Sequence, residues 1–206
     1  MMKLLTVHGW GFCPEVFRPL EFFPNIEHFS VDYEKTLSEN ARKLSQRVDE
    51  ETVLIGWSMG ATLSVLAASE QKPKGLILIG ATPHFKRAWK GEFIEAFLTR
   101  LEKNFEKTLR EFRKTAYGED VCPLPPEGGA VGLLREFIDT DISEEVKALP
   151  AEVILLQGKR DTVVPPREAK KLLKLNPRLR LELYDGGHFP TFLSSRDWKK
   201  LLQSLR

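Results

Sequence analysis

The stretch VLIGWSMGATLS (residues 53–64) sets a serine between two glycines in the pattern G-x-S-x-G. An apolar, β-branched run, Thr52–Gly56, leads into it, and an Ala/Leu-rich segment, Ala61–Glu70, leaves it. The reading is strand, sharp turn, helix, with Ser58 at the corner. Such a turn holds a serine in a strained backbone conformation with its hydroxyl above the sheet, and Gly56 and Gly60 let strand and helix approach closely. Five residues alone also fit an idle serine at a glycine-rich corner, so the rest of the chain has to decide.

Short apolar runs recur on either side: Lys3–Val7, His28–Asp32, Gly75–Gly80, Glu152–Gln157 and Leu181–Tyr184. Helical patterns lie between or after them. Leu37–Val48 follows a Ser/Thr start, Glu168–Leu175 follows Pro165 and Pro166, and Arg196–Leu205 sets Trp198, Leu201, Leu202 and Leu205 on one face. This alternation predicts an α/β fold with a mostly parallel sheet of about six strands, flanked by helices. Residues 83–149 break the rhythm, with a long helical pattern, the Pro/Gly-rich CPLPPEGG and a second helical piece at Ala130–Asp139. They read as a helical cap inserted into a core made of residues 1–82 and 150–206.

A serine hydroxyl needs a base to act as a nucleophile near neutral pH, and the base needs an acid to orient it. His188, in YDGGHFP after the last strand, sits on a loop that two glycines allow to bend tightly. His28 opens a strand, His84 opens the cap and His8 lies in the first loop, so each suits the role less well. In LLQGKRDTVVP, Asp161 falls just past a strand end; Asp185 is its rival, but lies too close to His188 in sequence to face it. The order Ser58, Asp161, His188 puts each residue on a loop after a different strand, at the sheet edge where ligands gather. An oxyanion would need donors, and the first loop, His8-Gly9-Trp10-Gly11, offers the N–H of Trp10 beside that of Met59.

Bulk composition narrows the classes. The 206 residues are 42% hydrophobic and 29% charged with a net charge of +2, an ordinary globular mixture and no polyelectrolyte for nucleic acid. Neither the N-terminus nor any later stretch has the unbroken apolar length of a signal peptide or membrane span. Cys13 and Cys122 lack C-x-x-C spacing, so neither a disulfide framework nor a zinc site is expected. Scarce Asn and Gln beside abundant Lys and Glu point to a heat-adapted source. The expectation is a soluble, cytoplasmic monomer with no metal or cofactor and no nucleic-acid or membrane partner.

These residues resemble the α/β-hydrolase superfamily and, more narrowly, the pimeloyl-[acyl-carrier protein] methyl ester esterases of biotin synthesis. VHGWGFCPEVF, LIGWSMGA, NFEKTLREF, EGGAVGLLREFIDTDI, GKRDTVVPP and GGHFPTFL carry the resemblance, in order, across nearly the whole chain. The resemblance implies a serine carboxylesterase freeing methanol from an acyl chain carried by an acidic acyl carrier protein. It assigns Ser58, Asp161 and His188 to catalysis, Trp10 and Met59 to the oxyanion, and Phe112 to the substrate wall. The leading antiparallel hairpin usual in the family is expected to be missing, and so is the glycine-containing loop after Asp32.

The cap adds a signal of its own. Phe97, Leu101, Phe105, Leu109 and Phe112 follow helical spacing, and Arg100, Lys103, Lys107, Arg110 and Lys114 fall on the opposite face. From Lys86 to Lys114 nine Lys/Arg meet five Glu, a local net of +4. Like charges at i and i+4 oppose the helix by a few tenths of a kcal/mol per pair. A docking acidic carrier protein would relieve them. A generic short-chain esterase or a carrier-protein thioesterase would use the same three residues. A non-catalytic binding protein on this frame would have no use for them.

Overall fold

The computed structural model describes residues 2–149 and 152–205. Six strands, β1 (Lys3–Val7), β2 (Ile26–Phe29), β3 (Thr52–Trp57), β4 (Gly75–Ile79), β5 (Val153–Gly158) and β6 (Arg180–Tyr184), form one sheet in the order β2-β1-β3-β4-β5-β6. Every pairing is parallel. The central strands β3, β4 and β5 are buried throughout, as continuous apolar runs require when both faces are covered. At the edges, β2 and β6 are half exposed. The expected α/β sheet is therefore the observed one, and no antiparallel strand pairs with it among the described residues. The second strand starts two residues earlier than its sequence run suggested.

Strand periodicity splits the core in two. Leu5, Val7, Leu54, Leu76, Leu78 and Leu155 face a layer of α1 (Leu37–Ser45), α2 (Met59–Glu70) and α7 (Arg167–Leu175). Leu4, Val53, Ile55, Trp57, Ile77 and Ile154 face α8 (Ser195–Gln203) and a 3-10 segment, Pro14–Leu20. Capping boxes start α1 and α8: Thr36 with Glu39, and Ser194 with Asp197.

Between β4 and β5 run α3 (Gly91–Lys103), α4 (Phe105–Ala116), α5 (Glu127–Asp139) and α6 (Ser143–Ala148). The periodicity of 97–112 thus covers two helices and not one. Asn104 leaves helical geometry (φ −155°, ψ 81°) and its side chain takes the N–H of Lys107, ending α3 and starting α4. The i,i+4 repulsion expected across that break is absent, because Arg100 and Lys103 lie on α3 and Lys107, Arg110 and Lys114 on α4. Arg100 pairs with Glu111 and Arg110 with both Glu106 and Asp120, so only part of the stripe carries unbalanced charge.

Cys13 and Cys122 form a disulfide, contrary to the expectation from their spacing. The fold lays the loop after β1 beside the segment after α4, bringing Cα atoms 109 residues apart to 5.7 Å. That separation is within reach of a bridge, and local spacing could not reveal it.

Candidate active site

Ser58 is the junction of β3 and α2. Its φ of 56° is the only positive value among the described non-glycine residues. The turn is forced by close packing: a Cβ on Gly60 would lie 2.1 Å from the Val7 carbonyl oxygen, and one on Gly56 2.4 Å from that of Gly60. The N–H of Ser58 donates to the Ile79 carbonyl at 2.9 Å, fixing the corner to β4.

Asp161 follows β5 and is buried. One carboxylate oxygen accepts the N–H groups of Val163 (2.9 Å) and Val164 (2.8 Å). The other accepts His188 Nδ1–H at 2.7 Å and the Gln157 amide at 3.2 Å. With Nδ1 donating to a carboxylate, Nε2 of His188 is left as the basic nitrogen, and it is buried with no partner among the described residues. The His188 ring lies 5.4 Å from that of Trp57, the residue before Ser58, and Trp57 Nε1–H donates to the His188 carbonyl. The structure thus places the three residues expected from the sequence after the carboxyl ends of β3, β5 and β6 and brings His188 and Asp161 into contact, while no hydrogen bond joins His188 to Ser58 among the described residues. Asp185 faces solvent and pairs with Arg160 at 2.8 Å, away from the imidazole.

Across from this pair, the loop after β1 lies against Ser58; a Cβ on Gly9 would be 3.3 Å from the Ser58 Cβ. Neither the backbone N–H of Trp10 nor that of Met59 donates a hydrogen bond among the described residues. Met59 is also the first residue of α2, where the helix dipole favours negative charge. The Trp10 indole N–H is spent elsewhere, on the Ala130 carbonyl of α5 at 2.7 Å.

Ser58 opens onto a cavity of about 260 Å³ whose other lining residues are all aliphatic or aromatic. Trp10 and Phe112 face one another there with ring centroids 5.4 Å apart, and Leu134, Phe137 and Ile138 add the buried part of the wall. Phe93 stands 57% exposed and marks the outer end.

Sequence reasoning missed four residues around this centre. Gln157 braces Asp161. His8 is buried with Nδ1–H on the Gly9 carbonyl and Nε2 accepting the N–H of Val31, an arrangement only the neutral ring makes; burial lowers its pKa to about 4. Tyr33 Oη accepts the N–H of Gly11 and donates to the Phe12 carbonyl, and burial pushes its phenol up. Arg113, counted from sequence with its basic neighbours, is fully buried and reaches the same loop.

The profile of the alpha/beta hydrolase family matches residues 4–199. A pimeloyl-[acyl-carrier protein] methyl ester esterase of Legionella pneumophila (strain Corby) is 27% identical over 219 residues, covering 95% of this chain and 91% of the relative. The Vibrio cholerae protein of that name is 23% identical over 229 residues, with 94% and 89% covered. Among solved structures, a bromoperoxidase from Bacillus anthracis superposes with a TM-score of 0.80 at 15% identity, covering 100% of this chain and 92% of that one. An esterase from Exiguobacterium antarcticum does so at 0.78 and 18%, with the same coverage. The chain belongs to the alpha/beta hydrolase family and is a hydrolase.

Proposed function

We propose that this hydrolase is a serine carboxylesterase that removes the methyl ester from pimeloyl-[acyl-carrier protein], with Ser58 as nucleophile, His188 as base and Asp161 as the acid that orients it. The observation that carries the reading is the buried His188–Asp161 pair at the same sheet edge as a positive-φ serine that opens onto an uncharged cavity. The names of the relatives supply the substrate.

Ser58 Oγ attacks the ester carbonyl as His188 Nε2 takes its proton. The carboxylate of Asp161 stabilises the imidazolium without accepting that proton. The N–H groups of Trp10 and Met59 hold the tetrahedral oxyanion. Collapse expels methoxide, which leaves as methanol with the proton from His188. Water then enters, gives a proton to His188 and its oxygen to the acyl carbon; the second tetrahedral species collapses to free carboxylate and restored Ser58. The cavity suits the uncharged ester end and penalises a carboxylate that finds no cation there.

Residues 1–82 and 150–206 serve as the catalytic core in this reading, and 83–149 as the cap, with Phe112 in the substrate wall. The carrier protein docks on the basic stripe of Arg100, Lys103, Lys107, Arg110 and Lys114. Lys103, Lys107 and Lys114 are exposed with no ion pair among the described residues, so they lead that contact. Among the described residues no helix is long and apolar enough to cross a membrane. A disulfide in a cytoplasmic enzyme is the habit of heat-adapted organisms, and it fits the Lys/Glu-rich composition.

Mass spectrometry of methyl-pimeloyl-carrier protein tests the reading directly. Incubation should remove the mass of one CH2 while the acyl chain stays on its carrier, and the Ser58→Ala variant should leave the substrate intact. Loss of the whole acyl chain would make the enzyme a thioesterase instead.

A further inference from the structure

The loop that carries Trp10 is held from the cap by one buried cation. Arg113, on α4, has no solvent exposure. Its Nε–H donates to the Gly11 carbonyl at 2.6 Å, one terminal nitrogen donates to Asp120 and to the Cys122 carbonyl (2.6 Å each), and the other donates to the Pro123 carbonyl at 2.7 Å. Its guanidinium also lies 5.9 Å from the Phe12 ring centre. Burying a guanidinium costs several kcal/mol, and a leucine or methionine would fill the same space without that penalty. What the arginine supplies is geometry: a planar fork fixing three carbonyls and a carboxylate.

The fork acts on the loop at the point where orientation matters. Leu109, one turn earlier on α4, packs so tightly that a Cβ on Gly11 would lie 2.6 Å from its Cδ1, and Gly11 itself has φ 78°. The Gly9 carbonyl accepts from His8 and from the N–H of Phe12, and the Gly11 N–H is taken by Tyr33. Arg113 closes the set by holding the Gly11 carbonyl. The peptide planes around the free Trp10 N–H are thereby tied down on each side. The disulfide joins the residue after Phe12 to the residue whose carbonyl Arg113 also binds, so loop and cap are tied twice.

We infer that Arg113 is a positioning residue: from the cap it fixes the Gly9–Phe12 loop so that the Trp10 N–H points at the oxyanion. The inference rests on the esterase reading above. Because the effect falls on an interaction made in the transition state, it should appear in kcat and not in KM.

The test uses the intact enzyme and p-nitrophenyl butyrate. It also uses an alkyl trifluoromethyl ketone, whose carbonyl takes up the serine oxygen to form a tetrahedral oxyanion. Arg113→Met should lower kcat about tenfold or more, with KM nearly unchanged, and weaken the ketone by the same factor. Arg113→Lys, which keeps the charge but not the fork, should fall between it and wild type. If Arg113→Met fails to fold, Arg113→Lys carries the test with the same two readouts. Wild-type kcat, or a fall in kcat that follows thermal stability while the ketone binds as before, overturns the role. A turnover-competent Ser58→Ala would instead remove the esterase reading underneath, so the two failures are separable.

Discussion

The core and the cap are built by different means. Around Ser58 the backbone itself makes the site: a parallel sheet, two glycines that admit no Cβ, and a serine locked to β4 by its own N–H. The cap presents side chains instead. It walls the cavity with aromatic rings, reaches the core through Arg113 and Cys122, and balances its surface with pairs such as Arg100–Glu111. In the proposed reading the core backbone positions the reacting side chains, and the side chains on the cap surface govern what reaches them. Substitutions in the core should therefore act on kcat, and substitutions on the cap surface on KM.

The sharpest break of that comparison is Ser58→Ala, which should lower kcat at least about 10⁴-fold on every ester, as removal of a triad nucleophile does. Measurable turnover of any substrate at wild-type rate would end the core's claim to the chemistry. Asp161→Asn should cost about 10⁴-fold in kcat by presenting the wrong imidazole tautomer, whereas Asp185→Asn, changing only an exposed pair with Arg160, should be silent; rates measured side by side would transfer the acid role if the order were reversed. Cys13→Ser should lower unfolding free energy by about 2–5 kcal/mol in urea titrations, since a bridge of this span constrains the unfolded chain strongly.

His8 gives a pH signature of the core. Its folded pKa of about 4 lies below the ordinary 6.5, so the unfolded chain binds a proton that the fold refuses. Its share of stability, about 3 kcal/mol, is present above pH 6.5 and is lost as pH falls toward 4. Denaturation across that window should slope accordingly, and His8→Gln should flatten the slope. The smallest effect belongs to the cap surface. Lys103→Glu, Lys107→Glu and Lys114→Glu together should raise KM for carrier-bound substrate about tenfold at low salt and leave p-nitrophenyl esters unchanged. Equal loss on both substrates would move the docking surface elsewhere.

What sequence conveyed and what it hid follow the same division. Ser58 was legible because its constraints are local: two glycines, a strand before, a helix after. Asp161 and His188 were legible because parallel strands deliver their following loops to one edge. The helix break at Asn104 was masked because the apolar spacing runs through it without a change of period. Arg113 looked like its basic neighbours, since nothing in REFRK tells a buried guanidinium from an exposed one. The partners that Gln157, His8 and Tyr33 hold are settled only by tertiary packing, as is the union of Cys13 with Cys122.

That union makes the molecule a lasso. Residues 13–122 form a covalent ring with a short tail carrying Trp10 and a long one carrying Asp161 and His188, while Ser58 lies within the ring. A single proteolytic nick anywhere inside the ring leaves all parts of the proposed catalytic centre on one connected molecule. Without a reductant, the denatured chain stays looped and should run ahead of its reduced form on a denaturing gel.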